Sequence, residues 1–77
     1  MFLRRVYVSL IESDIAHDLN ELLVEFNELM LGSYPRTAAD ADYMTMLTLE
    51  TRDEDYADRA TQSLVKRMPS GAVLRVE

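Results

Sequence analysis

A chain of 77 residues with a formal net charge of −6 is one small domain, and its excess sign is wrong for gripping phosphates or an anionic membrane. Hydrophobic residues at 48% and charged residues at 29% make an ordinary globular mixture, and the lack of cysteine excludes disulfides, thiolate metal ligands and cysteine nucleophiles. No apolar run reaches the roughly 18 residues of a membrane span, so the composition points to a cytoplasmic protein whose partner is a basic protein surface.

Residues 3–10, LRRVYVSL, alternate: Val6, Val8 and Leu10 face one way, and Arg5, Tyr7 and Ser9 face the other. Alternation among β-branched and aromatic residues predicts a half-buried strand, and it reads as that strand rather than as a signal peptide. Ser13 fits a helix N-cap with Asp14 in the first turn. A helix is expected over residues 14–29, with Ile15, Leu19, Leu22, Leu23, Phe26 and Leu29 as its core-facing stripe. Asp14, Asp18, Glu21, Glu25 and Glu28 recur at spacings of four, three, four and three, with no lysine or arginine on that helix. At roughly 100° per residue this acidic stripe lies about 120° around from the apolar face.

Gly32 and Pro35 punctuate the next stretch. A short strand is expected over residues 30–34, then a hairpin connection through residues 35–42. The segment DYMTMLTLET, residues 42–51, reads as a strand that is apolar on both faces. Tyr43, Thr45, Leu47 and Leu49 would share one face, and Met44, Met46 and Thr48 the other. Thr51 and Glu54 have the spacing of a capping box, so a second helix should follow to Met68. Its core face would be Ala57, Ala60, Leu64, Val65 and Met68. Acids in its first turn and Lys66 and Arg67 in its last follow the helix dipole. Pro69, Ser70 and Gly71 stop it, and AVLRVE forms a final strand.

The expected order is strand, helix, strand, strand, helix, strand. It gives an α+β chain, a ferredoxin-like βαββαβ two-layer sandwich with an antiparallel sheet and two helices on one face. Without the strand at residues 30–34 the order becomes βαβαβ with a three-stranded sheet.

Such a layout hosts many functions, so the chemistry has to come from side chains. The chain has no Cys-x-x-Cys for metal handling and no aromatic-glycine pattern for RNA. Its first loop, Ile11-Glu12-Ser13, repels anions rather than cradling them. No Gly-rich phosphate loop occurs, and no serine is placed beside His17 with an orienting acid. His17 has Asp14 three residues before it and Glu21 four after, which reads as a solvated histidine rather than a metal ligand. No catalytic residue, metal or cofactor is expected.

Like charges at i, i+4 each destabilise a helix by about 0.2–0.5 kcal/mol, and the dipole opposes Glu25 and Glu28. That cost favours a use for the stripe. The expectation is a small acidic non-enzymatic protein-binding module, of the inhibitor kind, that occupies a basic surface such as a nucleic-acid-binding one through Asp14, Asp18, Glu21, Glu25 and Glu28. A second surface is expected on the sheet face away from the helices, with Arg5, Tyr7, Tyr43, Val73 and Arg75 as an apolar patch rimmed by arginine and suited to a homodimer. The element order is also similar, in topology alone, to small regulatory domains of the ACT type. That alternative implies a ligand-responsive domain, dimeric through its sheet.

Overall fold

The computed structural model describes residues 1–77 in the order β1 (Phe2–Val8), α1 (Glu12–Glu25), β2 (Met30–Pro35), β3 (Thr45–Thr51), α2 (Glu54–Arg67) and β4 (Val73–Val76). The four strands form one sheet in the order β2-β3-β1-β4, and every neighbouring pair is antiparallel. This is the ferredoxin-like α+β sandwich, with four strands rather than three. Each helix links two strands that leave a place between them, and the other half of the molecule fills it. The two halves therefore interlock.

Directly paired residues point to the same side of the sheet, so the register sorts the faces. Val6 and Val8 of β1 lie beside Thr45, Leu47 and Leu49 of β3 on the helix side, all buried. Against them α1 sets Ile15, Leu19 and Leu22, and α2 sets Ala57, Ala60, Thr61 and Leu64. Two alanines let α2 approach the sheet closely. Thr61 is tolerated because its hydroxyl donates to the Ala57 carbonyl at 2.8 Å. Val65 sits off this inward face and is exposed, unlike the core residue its spacing suggested.

The helix starts differ from expectation for a local reason. Ile11 holds the N-cap position of α1 in extended backbone with no side-chain cap, and Ser13 lies inside the first turn. At α2 the cap is Asp53, whose carboxylate accepts from the Asp55 N–H at 3.2 Å. Thr51 remains the buried last residue of β3, so the Thr51–Glu54 spacing is not a capping box. The first helix also ends sooner, at Glu25, with Phe26 as C-cap. Phe26 and Leu29 still reach the core because the chain folds back, the Leu29 N–H donating to the Phe26 carbonyl at 3.1 Å.

Two residues break the alternation expected of their strands: Tyr43 joins Tyr7 on the uncovered face, as its place in the expected interface implied, and Val73 leaves that face. Tyr43 precedes β3 and does not follow the alternation of Thr45, Leu47 and Leu49; its ring meets Tyr7 on the uncovered face. Val73 pairs with Val8 while Arg75 pairs with Tyr7, a register shift at Leu74. Such a bulge breaks the period of two. Val73 is therefore packed on the core side, not beside Arg75 on the uncovered face.

Candidate functional site

The helix-free side of the sheet is a continuous surface built by several strands. On it β1 presents Leu3, Arg5 and Tyr7, β3 presents Glu50, Thr48 and Met46, and β2 presents Met30, Gly32 and Tyr34, row against row. A shallow depression of about 450 Å³ is centred here. Its floor depends on Gly32. A Cβ there would stand 2.5 Å from Thr48 Oγ1 and 2.8 Å from Tyr34 Cε2, so the missing side chain lets the tyrosine ring lie back across the strand. Leu3, Met30 and Tyr34 are exposed around it. Arg5 and Glu50 flank the floor, and neither belongs to any ion pair.

The other end of this face is closed by an internal cluster. Arg75 donates from Nη1 to Asp42 at 2.6 Å and from Nε to Glu77 at 3.4 Å. Its guanidinium lies 4.0 Å from the Tyr7 ring centroid and 5.9 Å from that of Tyr43. The two tyrosines meet edge to face at 5.0 Å, and the Tyr7 hydroxyl donates to Glu77 Oε1 at 3.1 Å. Burial, then the bond to Glu77, pushes the Tyr7 phenol above its ordinary pKa. The hydrogen bond to Asp42 chiefly raises that of Arg75. Of the sheet-face residues expected at an interface, Arg5 is free, Tyr7, Tyr43 and Arg75 serve one another, and Val73 is on the other side.

The acidic stripe is divided in a similar way. Glu25 Oε1 accepts from Ser63 Oγ at 2.8 Å and from Arg67 Nη2 at 3.2 Å, both on α2. The Ser63 bond first, then Arg67, holds its carboxyl below the usual value. Glu21 lies 3.9 Å from Arg67 Nη1 and 2.6 Å from His17 Nε2. The stripe therefore lies on the shoulder of α1 turned toward α2. Asp14 and Asp18 make no ion pair, and Glu28 lies beyond the helix end, its backbone N–H donating to the Tyr56 hydroxyl at 3.1 Å. His17 has Glu21 as its one carboxylate neighbour within ion-pair reach, and no group of three or more such side chains is placed to hold a metal ion.

Sequence reasoning passed over Ser63 and read Arg67 only as a match to the helix dipole, although their spacing of four sets two donors on one flank of α2. It also passed over Arg4, which lies 3.5 Å from Glu54 and 3.1 Å from Asp58 and ties β1 to α2. These pairings were missed for one cause: the partners are on another element, and periodicity within an element does not show them.

No helix is long and apolar enough to cross a membrane. No curated protein matches the chain. The family model described as "FAD synthase, middle domain" matches residues 1–77, and the chain belongs to that family.

Proposed function

We propose that the chain is a non-catalytic protein-binding module of an FAD synthase, and that it docks on another domain of that enzyme through the helix-free face of its sheet. The observation that carries this reading is the face itself. It combines exposed Leu3, Met30 and Tyr34 with an unpaired Arg5 and an unpaired Glu50. Apolar groups would supply affinity, and the two opposite charges would set orientation. With Arg75 shared between Asp42 and Glu77, and Arg5 set against Glu50, the face carries only a small part of the molecule's negative charge. Its partner is thus an apolar surface with mixed charges, which is the character of interfaces between domains. The family description supports the setting, since a middle domain has neighbours. In this reading the synthesis of FAD is the work of other domains, in the cytoplasm.

The test is capture of an FAD synthase that lacks this domain, with the 77-residue chain as bait. Leu3→Glu with Met46→Glu should weaken capture at least tenfold while the circular dichroism spectrum stays that of the wild type. Undiminished capture by the double variant would remove the sheet face from the proposal.

A second reading keeps the acidic helix as an inhibitor-like docking surface for a basic protein. It is favoured by Asp14, Asp18 and Glu28, which no internal cation neutralises. Glu21 and Glu25 contribute less, because Arg67 already engages them. Asp14→Lys with Asp18→Lys should then abolish capture that 0.5 M salt also abolishes.

A further inference from the structure

A different surface, the outer edge of β2, points to a second copy of this chain. β2 is an edge strand, and its residues Met30–Pro35 include no charged side chain. It runs against β3 without a bulge, and only Pro35 at its end guards it. The opposite edge, β4, is protected by its register shift and by Arg75.

The hydrogen-bond phase of β2 follows from one contact. Arg36 N–H donates to the Met44 carbonyl at 3.1 Å. Because antiparallel pairs alternate, Tyr34, Gly32 and Met30 also bond inward to β3. Leu31 and Ser33 therefore turn their N–H and C=O groups outward, where no strand of this chain receives them.

We propose that two copies join antiparallel along β2, about a two-fold axis at Gly32, to make one continuous eight-stranded sheet. In that register each Leu31 faces the other copy's Ser33 as a hydrogen-bonded pair, giving four backbone bonds. Gly32 meets Gly32 at the close, non-bonded position on the axis. Each exposed Met30 meets the other copy's exposed Tyr34.

Charge selects the same register. Glu28 and Arg36 lie just outside the two ends of β2, and neither belongs to an ion pair. Pairing centred on Gly32 brings each Glu28, in the turn just before β2, to the end of the sheet where the other copy's Arg36 lies, twice over. Shifting the register by two residues loses both matches. The flank of α1 above this edge is Ala16, Asn20 and Leu23, with Glu12 its one charged residue. Most of the acidic stripe is on the other shoulder, so two acidic molecules meet along their least acidic edge. Ser33 Oγ is buried at this edge with no hydrogen-bond partner in the chain.

The experiment is sedimentation equilibrium of the 77-residue chain from micromolar to millimolar concentration. A concentration-dependent dimer is expected. Glu28→Arg alone and Arg36→Glu alone should each weaken it at least tenfold, by placing like charges opposite each other. The double variant should recover affinity to within about threefold, because the swap restores the pairing. Both sites are exposed, and circular dichroism checks that each of the three variants is folded. A monomer at every concentration overturns the proposal. So does a dimer unaffected by either single change, which would move the contact to the sheet face. The two surfaces share Met30 and Tyr34, but Leu3 and Met46, which probe capture of an FAD synthase, lie off this edge, so either reading can fail alone.

Discussion

Gly32 shows how one missing side chain shapes a surface. Any Cβ at that position crowds Thr48 Oγ1 and the Tyr34 ring, yet both neighbours are side chains that can rotate away. Gly32→Ala should therefore cost about 1 kcal/mol, the low end for overpacking, with Tyr34 swung off the strand. Adding Thr48→Ala should return part of that loss in a urea melt. Additive losses in the double variant would mean that the crowding is not the cause. Glu25 makes a second residue-scale case, in pH. Its folded pKa is depressed by Ser63 and Arg67, so its contribution is present above its ordinary value of about 4.3 and disappears as pH falls through the lower folded value. Stability should therefore fall on acidification below about pH 4 by less in Glu25→Gln than in the wild type. Parallel pH profiles for the two proteins would sever the link between the clamp and the titration.

The elements themselves were largely legible. Alternation in residues 3–10, the 3.6 period of Ile15, Leu19 and Leu22, and the Pro69–Gly71 stop each report a one-dimensional pattern that packing then preserved. What escaped was decided by neighbours. A bulge at Leu74 moved Val73 to the core side, and the approach to β3 separated Tyr43 from the buried face of Thr45, Leu47 and Leu49 while leaving it on the uncovered face expected for it. The arginine that offsets the acids of α1 came from α2. Helix starts escaped for a different reason. Ser13 and Thr51 are good caps by residue type, but the chain enters each helix at a position fixed by the end of the preceding strand. Stability should register the true positions. Asp53→Ala should cost about 1 kcal/mol, whereas Ser13→Ala, inside a helix, should cost nothing or stabilise slightly. Ile11→Asp should gain about 0.5–1 kcal/mol by giving α1 the side-chain cap it lacks. Equal effects of Ser13→Ala and Asp53→Ala on the denaturation midpoint would contradict the assignment of the caps.

On the scale of the whole molecule, charge acts over two distances that salt separates. The domain measures 34 × 23 × 18 Å and carries a net −6. At about 0.01 M salt the screening length is roughly 30 Å, so nearly every acid senses every other; at about 0.15 M it is roughly 8 Å, and only near neighbours interact. Close contacts such as Glu25–Arg67 at 3.2 Å survive that change, while the collective repulsion does not. Raising salt between these limits should therefore raise the melting temperature. The rise should shrink in Asp14→Asn with Asp18→Asn, which takes away two unpaired acids and leaves the Arg67 clamp untouched. Charge reversal at Glu21 and Glu25 would be a poor probe of the same question, because it breaks the contact between the helices as well as altering the field. Dilute protein keeps any association out of the measurement. A melting temperature that falls with salt would show that the local ion pairs, including Arg4 with Glu54 and Asp58, outweigh the excess of like charge. The acidic stripe would then be a consequence of packing α1 against an arginine-bearing α2 rather than a surface held against its own repulsion for a partner.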